Sequence, residues 1–408
     1  MYPGRFVMNH LRCRRVLLAG LVALLAAAFQ PWPAAADAVD VFEVKDVAVD
    51  VTAATAAEAR EEALVQGEIT AFQRLLERLT LRGHRDKLPE LPKSDIDIYV
   101  QDFSVADEKT SSVRYLARLN FRFKAEEVRR LLHDFGIPFA ETVSKPVLVM
   151  PVFQDAGALI LWDDPNPWRE AWLNRPPTHG LVPTILPVGD LADMAAIGAE
   201  QAMDGDMQRL NAVAARYGAS DALVVFGVLR FDAAHNRRAL EVYFTRYGTQ
   251  LREQTEVMTF TQEKIETVPQ LLLRAARELT QIVEDNWKRD NLLQFARGGV
   301  VAAVVPITGL RDWLAVRKRL QQVAVVRRAE MVLLSQDEVR VNLHFLGDPG
   351  QLALALEQAD LRLFEESGEW LLTLLEPPPG PPPGLSPGPT TKGAPTAPIA
   401  AGRPPGKS

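Results

Sequence analysis

Hydrophobic positions along residues 39–142 alternate between the two-residue period of a strand and the longer period of a helix. The pattern predicts a strand at Val41–Val51 and then a long helix, since Thr55 and Glu58 have capping-box spacing. A strand pair follows, and the second strand has five alternating apolar positions: Tyr115, Ala117, Leu119, Phe121 and Phe123. A short helix, Ala125–Phe135, then ends before Gly136. The predicted order is β-α-β-β-α.

Residues 144–290 predict a mixed-sheet α/β module. An apolar run predicts a strand at Val147–Val152, and a helix is expected at Asp204–Tyr217. Three further strands, separated by polar turns, are expected to pair as a meander: Ala222–Phe231, Arg238–Tyr247 and Leu251–Phe260. A long amphipathic helix, Val268–Lys288, is expected to cover the sheet.

Residues 298–376 predict a third module with the order β-α-β-β-α-β, which is that of a ferredoxin-like split unit. Its elements are expected at Val300–Val305, Leu310–Val323, Val325–Leu334, Glu338–Leu346, a helix beginning at Asp348-Pro349, and a strand from Leu361. Asp348 is a favourable N-cap, and Pro349 suits the first helical position. The predicted fold class is therefore α+β / α/β in three small modules.

The first 36 residues have the pattern of a secretory signal peptide. Arg5, Arg12, Arg14 and Arg15 precede an apolar run at 16–29, which proline and small alanine residues follow. The run is shorter than the ~20 residues that a membrane-spanning helix needs. We therefore expect cleavage and a periplasmic or secreted location, with no transmembrane span afterwards. The alternative is an uncleaved anchor in the inner membrane.

Residues 377–408 are rich in proline and glycine and contain no aromatic or acidic residue. Such a composition cannot bury enough apolar surface to offset its ordering entropy, so it predicts a disordered, extended tail. Peripheral contact with a membrane or cell wall is a possible role for the tail.

Charge and cysteine content exclude several classes of protein. The formal net charge is −6, and removal of the four leader arginines makes the remainder more acidic, which disfavours nucleic-acid binding. Cys13, the only cysteine, lies in the leader, so the mature chain has no disulfide and no cysteine nucleophile. The sequence leaves the oligomeric state open.

The common catalytic motifs are absent, including the G-x-S-x-G elbow, the phosphate-binding loop and the H-E-x-x-H helix. No histidine has another histidine at metal-ligand spacing in the mature chain: His84, His133, His179, His235 and His344. We therefore predict a protein without catalytic residues, cofactor or metal.

Residues 162–172 are the exception, because tryptophans and acids alternate there. The candidate binding surface is Trp162, Asp163, Asp164, Trp168, Glu170 and Trp172. Aromatic rings beside paired carboxylic acids are typical of a carbohydrate cleft, in which one acid donates a proton and the other acts as base or nucleophile. The alternative is that Asp164 or Asn166 caps a helix whose two tryptophans pack on the sheet. That second interpretation is favoured.

Several short runs, mainly of core and turn positions, are distinctive: 71–80, 119–121, 131–132, 136–138, 145–149, 310–313 and 347–349 with Leu352. With these runs the chain resembles an uncharacterised family of exported proteobacterial proteins, domain-of-unknown-function family 2066. The resemblance covers most of residues 40–375. No catalytic residue carries over from this family.

Two looser resemblances concern the arrangement of modules. The middle segment looks like the N-terminal domain of the Tol-Pal translocation protein and of curli-secretion-type lipoproteins, and the three-module layout looks like the flagellar outer-membrane-ring assembly protein. The chain departs from them because it has no lipobox and no propeller domain. These resemblances imply a non-enzymatic role in assembly or maintenance of the envelope, with envelope proteins bound through sheet edges and loops. The alternatives are an envelope glycan hydrolase that uses residues 162–172, and a sensor of a small ligand or lipid.

Overall fold

The computed structural model describes residues 40–155, 157–233, 236–248, 255–293 and 298–375. The predicted signal peptide, the predicted proline-rich tail and His235 lie outside the described residues. The described chain contains both helices and strands, and its three sheets are each built from one of the three segments. This confirms the predicted α+β fold in several modules.

The first sheet follows the predicted β-α-β-β-α order. Its elements are β1 (Glu43–Thr52), α1 (Ala56–Leu79), a 3-10 helix (Arg82–Lys87), α2 (Lys93–Ile96), β2 (Val100–Thr110), β3 (Arg114–Phe123) and α3 (Ala125–Asp134). The strand order is β1-β3-β2, and both pairs are antiparallel. Thr55 caps α1, because its side chain accepts a hydrogen bond from the Glu58 amide at 3.2 Å.

Helix α1 lies close against its sheet at Gly67. A β-carbon placed there would stand 2.4 Å from Cδ1 of Leu119 and 3.2 Å from Cγ1 of Val49. A glycine is therefore required for this approach, since van der Waals contact between carbons needs about 3.5–4 Å.

The second sheet carries the middle segment. Its elements are β4 (Val147–Asp155), β5 (Ala158–Ile160), α4 (Pro167–Leu173), β6 (Thr184–Ile185), α5 (Leu191–Ala196), α6 (Ala199–Met203), α7 (Met207–Arg216), β7 (Asp221–Asp232), β8 (Arg237–Tyr247), β9 (Thr255–Thr261) and α8 (Val268–Asp290). The order is β5-β4-β7-β8-β9, with β6 paired to β4. The meander of β7, β8 and β9 is confirmed, although residues 249–254 lie outside the described part of its last strand.

The predicted helix at Asp204–Tyr217 begins too early. Gly205 has a φ of 69°, a left-handed conformation that interrupts a right-handed helix. Asp206 then caps α7 by accepting a hydrogen bond from the Arg209 amide at 3.1 Å. Asp204, the first residue of the predicted helix, is instead the C-cap of the separate helix α6.

The third sheet contains the predicted order and one further strand. Its elements are β10 (Gly298–Pro306), α9 (Leu310–Leu320), β11 (Val326–Leu334), β12 (Glu338–Leu346), α10 (Pro349–Gln358), β13 (Leu361–Glu366) and β14 (Glu369–Leu374). Strand β14 returns from β13 through a tight turn and enters the sheet beside β10, so the order is β11-β12-β10-β14-β13. Ser367 and Gly368 both have positive φ angles, 53° and 83°, as a two-residue hairpin of type I′ requires.

The first and third sheets contribute to one hydrophobic cluster. Phe121 and Phe139 from the first segment and Leu343 and Leu356 from the third belong to it, and all four are buried. Both faces of the second sheet are also covered: α8 packs on one face, and α6 and α7 pack on the other. Over the described residues, none of the helices is both long and apolar enough to span a membrane.

Glu68 is an acid buried in this fold. Its side chain is only 8% exposed, and its Oε1 has no hydrogen-bond partner among the described residues. Burial, assisted by the neighbouring Asp97, raises the pKa of Glu68 to about 7. Because the folded-state pKa is raised, Glu68 contributes fully to stability at acidic pH. That contribution is lost as the pH rises from about 4.5 through 7.

We expect Glu68→Gln to stabilise the chain by about 1–2 kcal/mol at pH 8 and to have no effect at pH 4, because glutamine does not ionise. Urea unfolding of both chains at pH 4, 6 and 8 measures the difference. An equal difference at all three pH values would contradict the assigned titration of Glu68.

Candidate functional site

Residues 162–172 comprise a short bend, the N-cap Asn166 and most of helix α4, which packs into the core of the second module. Asn166 caps α4, since its side-chain oxygen accepts a hydrogen bond from the Arg169 amide at 3.0 Å. Trp168 and Trp172 are fully buried and meet edge to face, with ring centroids 5.8 Å apart. The Trp168 indole donates a hydrogen bond to the Val225 carbonyl at 3.0 Å, and that carbonyl belongs to β7. These two rings therefore belong to the core and are not available to a ligand.

The acids of this stretch do not face the buried rings. Asp163, Asp164 and Glu170 are exposed to solvent, whereas Trp162 is half-buried and donates its indole hydrogen to the Ile197 carbonyl at 2.7 Å. A glycoside hydrolase needs two carboxyl groups facing each other across the scissile bond inside a cleft. The arrangement fits the alternative prediction of a packing helix, and Asn166, one of the two predicted caps, is the residue that caps it.

The space between the second sheet and α8 is filled with side chains. Leu271, Leu272, Ala275 and Leu279 of α8 are each 0% exposed and pack with strand residues such as Val225. A sensor of a small lipid would need an apolar cavity at this place. The observed packing instead gives the module an ordinary core.

Metal binding has no support in the residues that the structure covers. Among them, no group of three or more His, Cys, Asp or Glu side chains is placed to hold an ion. His344 lies on β12, where its Nε2 is 3.1 Å from the Glu330 carboxylate. His133 is exposed beside Asp134 at 3.4 Å.

Strand β11 carries a run of exposed apolar residues at the edge of a sheet. It forms one edge of the third sheet, so one side of its backbone has no neighbouring strand among the described residues. Four consecutive apolar residues near its end are exposed by about half: Met331 53%, Val332 63%, Leu333 46% and Leu334 48%. We call residues 331–334 the apolar edge.

The apolar edge presents side chains on both faces of the sheet. Met331 and Leu334 pair with Val341 and Val339, whose side chains point to the core, while Leu333 pairs with the outward-facing Arg340. The pairing register shifts between Met331 and Leu333, as in a β-bulge. An added strand would therefore meet apolar groups above and below the sheet plane.

Two other edge strands of the fold carry mostly polar residues at their exposed positions. Strand β2 of the first sheet is exposed, and charged residues interrupt it: Asp102, Asp107, Glu108 and Lys109. Strand β9 of the second sheet has threonines at three of its four exposed positions, and Val257 is the fourth. Charges on an exposed edge discourage unwanted strand pairing. The apolar edge lacks this protection.

Charged residues precede the apolar edge on the same strand. Arg328 is 63% exposed and forms an ion pair with Glu330, which also faces His344. Arg327 lies 3.5 Å from Glu126 of α3 in the first module. An incoming strand would thus meet an apolar stretch at one end of β11 and an exposed arginine at the other.

Sequence reasoning did not single out the apolar edge. The run Met331-Val332-Leu333-Leu334 was visible as a stretch without alternation, which is typical of a strand covered on both faces. Only the sheet order reveals that the strand is an edge, because β10, β12 and β14 come between it and β13.

Comparison with known proteins adds no relative. No family model, no curated protein and no solved structure matches this chain.

Proposed function

We propose that the protein is an exported, non-enzymatic component of the bacterial envelope that binds a partner protein through strand β11. The observation that carries the proposal is the apolar edge, four consecutive exposed apolar residues on an edge strand. A sheet edge of this kind binds an extended segment by β-augmentation, in which backbone hydrogen bonds supply affinity and alternate side chains supply specificity. The leader pattern of residues 1–36 supports export.

The proposed occupant is an extended segment of another envelope protein, with apolar residues opposite the apolar edge and an acidic residue opposite Arg328. Apolar burial favours the first contact and charge complementarity the second. An isolated edge of this kind would otherwise be prone to aggregation, so a covering partner accounts for its composition. This reading agrees with the expected role in assembly or maintenance of the envelope.

A photoreactive amino acid placed at position 332 tests the proposal in cells. We expect a covalent adduct with one envelope protein, and no such adduct when the same residue replaces Arg362, which is exposed on β13 at the opposite edge. Protease accessibility of the chain in spheroplasts tests export in the same cells. An adduct of two copies of this chain would contradict the heterologous partner, and absence of any adduct at 332 would contradict the docking surface.

The captured protein must then bind the purified chain. We expect Val332→Lys to weaken that binding by more than about tenfold, because it places a charge within an apolar contact. The matched control is Val257→Lys, which makes the same change at a 56% exposed residue on β9, the edge of the second sheet. Equal affinities for the two variants, measured by calorimetry, would refute the assignment to β11.

A further inference from the structure

A second surface, a cleft in the body of the chain, differs from the rest of the protein in charge. The cleft has a volume of about 740 Å³ and lies between α1, α8 and the connecting segment 175–180. This volume is within the usual range for a small-molecule site, ~300–1,000 Å³. The apolar edge contributes no residue to it.

Cationic side chains dominate the lining of the cleft. Its arginines are Arg74, Arg78, Arg85, Arg118, Arg175 and Arg277, and Lys288 lies beside them. The acids that line it are Asp46, Glu77 and Glu284. Such a cluster of positively charged side chains is unexpected in a chain whose formal net charge is −6.

The acids are already engaged. Asp46 lies 3.7 Å from Arg118, and Glu77 lies 3.8 Å from Arg85. The Glu284 carboxylate accepts hydrogen bonds from the amides of Leu181 and Val182, at 2.9 and 2.8 Å.

Two arginines that line the cleft, one on α1 and one on α8, have no polar partner among the described residues. Arg74 of α1 and Arg277 of α8 are exposed, and neither forms a hydrogen bond or ion pair with another described residue. Their side chains therefore carry full charges that nothing in the described chain neutralises. Guanidinium groups are well suited to this role because each presents a planar set of donors that matches phosphate oxygens.

Two more observations indicate an electropositive environment. Within the described chain, the buried Nε atoms of Arg85 and Arg175 have no hydrogen-bond acceptor. Burial lowers the pKa of His179, and the charges of Arg78 and Arg74 lower it further. The cleft thus disfavours an additional cation and would favour an anion.

The walls of the cleft are held in place by hydrogen bonds to neutral carbonyl oxygens, which do not neutralise its positive charge. Arg78 donates hydrogen bonds to the carbonyls of Val41, Glu43 and His179 at 2.6–2.8 Å. Lys288 donates to the carbonyls of Glu77 and Thr80 at 2.9 and 3.0 Å. These bonds join neutral oxygens to cations, so they fix the geometry of the site before a ligand arrives.

We propose that this cleft binds an anionic ligand through a phosphate group, with Arg74 and Arg277 contacting its oxygens from opposite walls. The volume accommodates more than a bare ion, so the ligand is a phosphate ester or the phosphate headgroup of an anionic lipid. Both sources have the same recognised chemistry, and they differ in whether the chain associates with a lipid surface.

The test uses the purified full chain and two probes, inorganic pyrophosphate by calorimetry and sedimentation with lipid vesicles. The vesicles contain either equal parts of phosphatidylglycerol and phosphatidylcholine or phosphatidylcholine alone. The variant carries both Arg74→Gln and Arg277→Gln. Neither arginine forms an ion pair with a described carboxylate, so the two substitutions break no ion pair among the described residues. The matched control is the pair Arg60→Gln and Arg289→Gln, on the same two helices and with the same change in charge.

Arg60 and Arg289 lie about 21 and 18 Å along their helices from Arg74 and Arg277, at 1.5 Å per residue. We expect the unaltered chain and the control to bind pyrophosphate equally. The chain with both Arg74→Gln and Arg277→Gln is expected to bind it at least tenfold more weakly. Sedimentation with the phosphatidylglycerol vesicles, lost in the same pair, would assign the ligand to a lipid headgroup, whereas pyrophosphate binding alone would assign it to a free phosphate ester. The proposal is overturned if neither probe binds at millimolar concentration, or if both paired variants bind as the unaltered chain does.

Discussion

Replacement of Glu284 by alanine is expected to lower the free energy of unfolding by about 3–5 kcal/mol. The side chain is 4% exposed, and its carboxylate accepts hydrogen bonds from two backbone amides of the segment at 181–182. Burial raises the pKa of Glu284, while those amides and Lys288 oppose the shift. Alanine would leave two amides without acceptors and would leave the buried Lys288 without its neighbouring acid.

Denaturant unfolding near neutral pH measures this change. Glu278→Ala is the control on the same helix, because Glu278 is 41% exposed and pairs with Arg82 only at the surface. A stability loss no larger than that of the control would show that Glu284 does not hold the segment.

Gly180 provides a second test of the same contact. A β-carbon at Gly180 would lie 2.1 Å from Oε1 of Glu284, which no side chain tolerates. We expect Gly180→Ala to destabilise the unaltered chain. The same substitution is expected to lower stability much less in the Glu284→Ala background, because the Glu284 side chain no longer occupies the space beside position 180. Additive effects in this double-mutant cycle would contradict the contact.

Trp168→Ala is expected to cost about 3–5 kcal/mol of stability. The ring is 0% exposed, packs against Trp172 and donates a hydrogen bond to the Val225 carbonyl. Trp168→Phe fills most of the volume but leaves that carbonyl without its donor, so we expect an intermediate loss of about 1–3 kcal/mol. Thermal and urea unfolding measure both variants.

The same series separates packing from ligand binding in residues 162–172. Asp163→Asn and Glu170→Gln change only exposed groups, and we expect the stability of both variants to equal that of the unaltered chain. If instead these exposed acids mattered for hydrolysis or binding of a glycan while Trp168→Ala left stability intact, the structural role assigned to this stretch would be wrong.

The sequence predicted most elements because local patterns determine them. Alternation located β3 and β12, and capping chemistry located the starts of α1 at Thr55 and α10 at Asp348. It missed β14, although Ser367-Gly368 between two short apolar runs is a hairpin signal. It also placed the start of α7 too early, since a glycine inside a helical pattern does not by itself reveal its φ angle.

The functional surfaces depend on tertiary structure, so local patterns could not reveal them. The cleft brings together Arg74, His179 and Arg277, which are about a hundred residues apart along the chain. The exposure of Val332 depends on which strand occupies the sheet edge. By contrast, the packing role of Trp168 and Trp172 could be predicted, because four-residue spacing places them on one helical face.

The central claim is that β11 pairs with a strand of a partner protein. The most direct test is amide hydrogen exchange of the complex isolated from cells. Amides of residues 326–334 whose hydrogens point away from β12 are expected to exchange quickly in the free chain and to become protected in the complex. Amides of β2, a charged edge strand, serve as the internal reference and should exchange equally in both states. Protection confined to 326–334 is the predicted result, whereas unchanged exchange along β11 in a stable complex would contradict the proposed function.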